Sequence, residues 1–183
     1  ELERLSRLIS DMRFIAPTER IENQIALVCV DLAMACQKVA GYLGVVAEER
    51  GVCIEVYGAT GVMGDPLLIE RAISNLLTNA IRHAYENTTV KVDISSDGDT
   101  PTVTVTNHGE GIAAEHLTRI FDRFYRADSA RARMDGGTGL GLAIVRSIMV
   151  AHGGSVSAVP QSIDEMAFIL RFPAKQPSLG QHA

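Results

Sequence analysis

The chain has no tryptophan and only 5% aromatic residues, so aliphatic side chains must fill its core. Cysteine is as scarce. Cys29, Cys36 and Cys53 are odd in number and lack C-x-x-C spacing, which excludes a disulfide framework and a zinc ribbon and leaves reduced thiols in a cytosolic setting, read as small buried apolar side chains. No apolar run is long enough to cross a bilayer: the longest, around Leu140 to Ala151, is broken by Arg146 and Ser147. No signal peptide is visible, yet the chain opens mid-helix as though cut from something longer, so the missing span describes this stretch alone. Basic charge is not in excess. A net charge of −5 argues against broad nucleic-acid binding, although Arg119, Arg123, Arg126, Arg131 and Arg133 cluster, either as a solvated face or beside an anionic ligand. G-K-[ST] is absent, which removes the P-loop reading.

What is present is 46% hydrophobic content over 183 residues, enough for one main domain with a small appendage. DPLLIERAISNLLTNAIRHA, from Asp65 to Ala84, organises it. Asp65 is placed to cap a helix, Pro66 suits the first helical position, and Ile69, Ala72, Ile73, Leu76, Ala80 and Ala84 form one apolar stripe. Asn75 and Asn79 share a different face, with Arg82 and His83 one turn on. Two Asn inside a long apolar helix are costly for helix propensity, so they are either surface polar residues or have another use. Amide oxygens suit a magnesium ion carrying nucleotide phosphates, because Mg²⁺ takes hard oxygen ligands and few protein groups.

In chain order, residues 1–16 space Leu2, Leu5, Leu8 or Ile9, and Met12 as an amphipathic helix that Pro17 stops, and 17–23 read as a linker. IALVCV reads as a buried strand, after which Asp31 caps a helix to about Glu49, closed by Gly51. Strands follow at Cys53 to Tyr57 and near Val62. Beyond the organising helix, Thr89 to Ser95 and Thr102 to Asn107 alternate around SDGDTP as a hairpin. NHGEGI, a short helix Glu115 to Asp122, and a polar loop Ala127 to Gly137 come next. A helix from Gly139 to Ala151 is closed by HGG, strands Ser155 to Val159 and Ala167 to Phe172 join the sheet, and 174–183 form a disordered tail.

GGTGLGL directly before a helix suits an anion, because glycine backbone approaches closely and the helix start offers unpaired N–H groups. A Rossmann turn does not fit, since an arginine-rich loop precedes it and Leu142 stands at the last glycine position. Taken together, NLLTNAIRHA, NHGEGI, FDRFYRADSAR and GGTGLGLAIVRSI resemble, in order and spacing, the N box, first glycine box, F box and second glycine box of sensor histidine kinases. The resemblance covers roughly Ile25 to Phe172, and ELERLSRLISDMRFIA resembles the end of that family's dimerisation and phosphoacceptor stem. RIFDRFYRADSAR and IVRSIMVAHGG are most similar to the copper-responsive and other heavy-metal sensor kinases.

The resemblance implies an α/β two-layer sandwich, a mixed sheet with helices on one face (the GHKL ATPase/kinase fold), with a catalytic domain over 24–173. It implies ATP and Mg²⁺ as cofactors: Asn79 with Asn75 on the metal, Arg82 on the phosphates, His83 at the base or simply a helical histidine, and Asn107, Gly109 and Gly111 around adenine. Phe121, Phe124 and Tyr125 would anchor the near end of a lid, Arg126 would swing toward phosphate, Gly137, Gly139 and Gly141 would hinge the lid and present backbone N–H groups, and Leu142 would pack near the nucleotide, with Thr138 and Leu140 also among the nucleotide-binding residues. It further implies a membrane sensor's cytoplasmic portion in a bacterial inner membrane, homodimeric through its stem, with a response regulator as partner. His108, His116 and His152 show no ligand spacing and are read as structural. The usual Asp of the first glycine box is Asn107 here, which accepts without charge assistance and so predicts weak ATP binding. Related ATPases carry a general-base Glu where this chain has Asn75, so transfer to a histidine is expected over water attack. No histidine stands in an H-E-x-x-x-P context, leaving the donor half of a kinase, with a catalytically inactive nucleotide module or a GHKL-type ATPase as the alternatives.

Overall fold

The computed structural model describes residues 27–126 and 139–174. Strand β1 (Val28–Asp31) runs into helix α1 (Leu32–Glu49), whose start is capped by Asp31 Oδ1 accepting from the N–H groups of Ala33 at 2.8 Å and Met34 at 3.1 Å. Gly51, at φ +64°, ends it in the left-handed turn that glycine enters without strain. Strands β2 (Val52–Gly58) and β3 (Gly61–Gly64) lead to helix α2 (Pro66–His83), where Asp65 Oδ1 accepts from Leu67 and Leu68 and Pro66 takes the first position. The expected stripe is buried to the last residue, joined by Leu77 and Ile81.

Hairpin β4 (Thr88–Asp97) and β5 (Thr100–His108) turns at Gly98–Asp99, followed by the single-turn helix α3 (Ala114–Leu117), helix α4 (Gly141–Ala151), and strands β6 (Ser155–Pro160) and β7 (Glu165–Arg171). One five-stranded sheet has the order β2-β4-β5-β7-β6, parallel at β2/β4 and antiparallel elsewhere; β1 and β3 form a separate antiparallel ribbon. The α/β sandwich with a mixed sheet is therefore the observed fold. Val90, Val92, Val103, Val105, Phe168 and Leu170 supply its inner face, against Leu76 and Leu77 of α2 and Ile144 and Ile148 of α4. At roughly 25 cal/mol for each Å² of apolar surface removed from water, this aliphatic layer is the main stabilising term.

Four expectations need correction. Within IALVCV, β1 is mostly exposed, because among the described residues it pairs with β3 alone; of its four residues Val30 is buried. Of the cysteines, Cys36 alone is buried, and burial pushes its thiol up to about 12, whereas Cys29 and Cys53 are exposed. The helix expected over Glu115 to Asp122 closes after one turn, and tight turns through Arg119 and Asp122 replace the rest. The last helix begins at Gly141, not Gly139, because Gly139 sits at φ +69°. The expected helix over 1–16, the linker over 17–23, the loop Ala127 to Gly137 and all but the first residue of the 174–183 tail lie outside the described residues.

Three links fix α2 in place. Asp65 N–H donates to His152 Nε2 at 3.0 Å, and His152 Nδ1 bonds the Ile148 carbonyl at 2.8 Å, so this imidazole carries its proton on Nδ1 and ties the start of α2 to the end of α4. At the other end Tyr85 N–H donates to the His108 carbonyl at 2.8 Å, and Arg50 Nη2 donates to the Arg82 carbonyl at 3.0 Å. Gly109 allows that junction: a Cβ there would overlap the His83 carbonyl. Gly44, in the middle of α1, has nothing within 4 Å of a Cβ. Urea unfolding is therefore expected to show Gly109→Ala losing about 3 kcal/mol from forced displacement, and Gly44→Ala gaining about 0.5–1 kcal/mol through helix propensity.

Candidate functional site

The polar edge of α2 carries Asn75, Asn79 and Arg82, all half-buried, and ends at the exposed His83. Asn75 Nδ2 donates to the Arg71 carbonyl one turn back at 3.0 Å, which uses one of the amide's two N–H donors on the helix itself. What Oδ1 meets is the start of α4: a Cβ on Gly141 would stand 3.2 Å from it. A helix start and a carboxamide oxygen, sixty-six positions apart in sequence, thus share one corner. Leu140, buried and apolar, supplies no side-chain cap there, so the corner presents backbone N–H groups, a helix dipole's positive end and a neutral oxygen.

The end of β5 forms the second wall. Asn107 is 3% exposed, so its carboxamide is buried at the strand's end. Gly109 lies over it, close enough that a Cβ would come within 3.1 Å of Asn107 Nδ2. The same glycine bridges Ala84 at the end of α2, and its N–H donates to the Asp164 carbonyl at 2.8 Å. Gly111 fits under the Ile163 carbonyl, which a Cβ would approach to 2.8 Å. The loop between β6 and β7 therefore braces the first glycine box from outside. Sequence reasoning missed this brace, because the contacts are made by backbone carbonyls and leave no side-chain signature.

The third wall is the turn after α3. Phe121 is buried, Tyr125 and Arg126 are half-buried, and Phe124 is 61% exposed at φ +61°, so of the three aromatic anchors Phe124 does not pack inward. Phe124 N–H donates to the Gly139 carbonyl at 3.0 Å, and a Cβ on Gly139 would come within 3.1 Å of Phe124 backbone atoms and 3.2 Å of the Tyr125 carbonyl. Residues 126 and 139 thus start and end at one neck. His116 Nδ1 lies 2.6 Å from the Tyr125 hydroxyl, and the Arg119 guanidinium sits 4.3 Å above the Tyr125 ring. Leu142 is half-buried against the core; Gly137 and Thr138 lie outside the described residues.

The structure therefore joins Asn75 to Gly141, Asn107 to Gly109 and the end of α2, and the Phe124–Tyr125 turn to Gly139. Among the described residues no group of three His, Cys, Asp or Glu could hold a metal, and no helix is long and apolar enough to cross a membrane. Any cation in the corner would rest on amide oxygens and on the ligand's own anionic groups.

Comparison with known proteins agrees with this geometry. Residues 64–176 match the family model described as histidine kinase-, DNA gyrase B-, and HSP90-like ATPase. Sensor protein IrlS of Burkholderia pseudomallei is 44% identical over 95% of the chain, and sensor histidine kinase CusS of Escherichia coli K12 is 41% identical over 95%. The chain spans 38% and 36% of those two relatives. Among solved structures, Acinetobacter baumannii histidine kinase AdeS superposes with a TM-score of 0.80 at 24% identity, covering 96% of this chain and 81% of that one. Full-length ShkA in complex with AMPPNP superposes at 0.77 and 25% identity, covering 93% and 36%. With its amide-bearing helix, glycine corner and family match coinciding over the same residues, the chain belongs to the histidine kinase-, DNA gyrase B- and HSP90-like ATPase family, as an ATP-binding catalytic domain of the sensor histidine kinase kind.

Proposed function

We propose that this domain holds Mg·ATP in the corner between α2 and α4 and donates its γ-phosphoryl group to a histidine nitrogen on a helical stem. The observation that carries the reading is Asn75 Oδ1 facing Gly141, which sets a hard neutral oxygen beside the first N–H groups of a helix. Asn79, one turn on, shares the metal with Asn75; Arg82 and Arg126 take phosphate charge; the backbone of Gly139, Leu140 and Gly141, with Gly137 and Thr138 preceding, cradles the phosphates. Asn107, buried at the end of β5, accepts from the adenine amino group, with Gly109 and Gly111 giving the base room and His83, Phe121, Tyr125 and Leu142 bordering it. Mg²⁺ supplies charge neutralisation of the phosphates when bound, and the chain orients them and excludes water. Asn75 has no proton-accepting group, so it cannot activate water as a carboxylate would, and transfer is favoured over hydrolysis.

In this reading residues 1–16 are the end of the stem, 17–23 the linker and 24–173 the catalytic domain, with 174–183 a disordered tail. The partners are the stem, homodimeric in the longer protein, and a response regulator receiver domain whose Asp takes the phosphoryl group onward. The setting is the cytoplasmic portion of a bacterial inner-membrane sensor, and the wording of its boxes favours copper or another heavy metal as the stimulus.

Mixed with a dimeric stem bearing the acceptor histidine, and with γ-labelled ATP and Mg²⁺, the domain is expected to yield an acid-labile, base-stable phosphoprotein. Rapid ATP hydrolysis by the domain alone would favour the gyrase-like reading instead, and nucleotide binding without transfer would favour an inactive module. In calorimetric titrations, Asn79→Ala is expected to weaken Mg·ATP binding at least about tenfold, roughly 1.4 kcal/mol, while barely changing metal-free ADP binding. Asn107→Asp is expected to tighten ATP about 3- to 10-fold, as a charge-assisted bond replaces a neutral one. A weaker titration would remove Asn107 from the base pocket.

A further inference from the structure

We propose that His116 is a positioning residue for the nucleotide corner, acting through the Tyr125 hydroxyl on the Gly139 turn. The proposal rests on the nucleotide reading above and adds to it a side chain that touches neither base nor phosphate. Helix α3 is one turn long, buries no residue and has no side-chain cap, so its own hydrogen bonds are too few to hold it. What fixes it is a staple of three side chains. His116 Nδ1 and the Tyr125 hydroxyl are 2.6 Å apart, their rings tilt at 50° with centroids 6.0 Å apart, and Arg119 lies over the same tyrosine ring. Glu115 Oε1, 3.6 Å from His116 Nε2, favours the proton on that nitrogen, which leaves Nδ1 to accept from the tyrosine O–H.

The staple has a mechanical consequence. Phe124 at φ +61° and Gly139 at φ +69° face each other in left-handed backbone, and for the phenylalanine that conformation is strained. Such strain persists only when the surroundings over-determine it. On the Phe124 side the backbone offers the bond from its own N–H to the Gly139 carbonyl at 3.0 Å and a long one from Tyr125 N–H to the Asp122 carbonyl at 3.3 Å. The Tyr125 hydroxyl bond is a side-chain constraint that resists relaxation of this turn, beside the Asp122–Arg146 ion pair at 3.7 Å and the buried Phe121 ring. Because the Tyr125 carbonyl walls Gly139, and Gly141 two residues on faces Asn75 Oδ1, a displaced Tyr125 shifts the helix start away from the amide oxygen.

The test compares His116→Phe and Tyr125→Phe, which keep the ring packing and lose the bond, their double variant, and His116→Gln, whose amide oxygen can accept from the hydroxyl. Two readouts are taken: calorimetric binding of an Mg·ATP analogue, and amide exchange of the Phe124 and Ile144 N–H groups without nucleotide. Each Phe variant is expected to bind about 3- to 10-fold more weakly, the double no more weakly than either single, and His116→Gln to recover most of the loss. Exchange at Phe124 and Ile144 should rise at least about fivefold in the Phe variants. Unchanged exchange in His116→Phe, additive losses in the double, or no recovery in His116→Gln would each overturn the proposal. If the parent bound no nucleotide while the exchange changes and their recovery in His116→Gln held, the nucleotide reading would fall and the staple would stand as a positioner of the turn.

Discussion

The constraint on which this molecule depends is the seating of α2, a helix that must bury one face completely while keeping an amide-bearing edge in register with a turn far downstream. Hydrophobic burial alone does not give that precision. Ile69, Ile73, Leu76 and Leu77 hold α2 on the sheet, but an aliphatic stripe tolerates small rotations and slides. Directional bonds at both ends remove that freedom: Asp65 N–H to His152 at one end, Tyr85 N–H to His108 and Arg50 to the Arg82 carbonyl at the other. His152 is the economical member of this set, since one imidazole serves the last turn of α4 and the first of α2 at once. Gly64 is what lets it approach, because a Cβ there would stand 2.9 Å from the ring.

The elements that were legible in the sequence are those whose cause is local. Asp65-Pro66 and Asp31 announce their helices through side-chain oxygens two and three residues away, and the β4–β5 hairpin follows from alternation around Gly98. The stripe on α2 was legible because one face is buried throughout. Where the cause is non-local, the reading slipped. The burial of a strand depends on how many neighbours it has, and among the described residues β1 has one, so its apolar run does not make it a core strand. Cys29 and Cys53 follow the same rule: a small apolar side chain is buried only if another element covers it. Both are exposed. The register of the last helix was missed by two residues because Gly139 is turned left-handed by its contact with Phe124, fifteen positions earlier.

The site was legible to a different degree. Which boxes approach one another could be expected from their likeness to a family, and the structure places Asn75 against Gly141 and Asn107 beneath Gly109. What no pattern carried was the outer bracing: the carbonyls of Asp164 and Ile163 under the first glycine box, and the bond between His116 and Tyr125. A backbone carbonyl accepts whatever residue bears it, so sequence says nothing about where it will be used. His116 and Tyr125 are nine apart in a segment without regular period, so neither a helical nor a strand pattern pairs them.

The electrostatics of the corner argue for a donor site that depends on another element for its acceptor. In the proposed reading the groups lining it are carboxamides, backbone N–H and arginine; a carboxylate in place of Asn75 would repel polyphosphate and, half-buried, would add a desolvation cost. The same neutrality deprives the corner of a base, so in the proposed reaction the nucleophile must be reactive without one, as a neutral imidazole nitrogen is. Three of the domain's own imidazoles are poorly suited to that part. His152 has both nitrogens committed, His116 has Nδ1 on Tyr125, and His108 lies 3.4 Å from the Glu165 carboxylate across the β5–β7 pair. Each performs a structural task that phosphorylation would abolish, which supports placing the acceptor on a separate helix. In that reading, a domain whose His108, His116 and His152 are occupied, and whose Asn75 is neutral where a carboxylate could stand, holds a triphosphate without spending it, and the timing of transfer then falls to whatever brings the acceptor in.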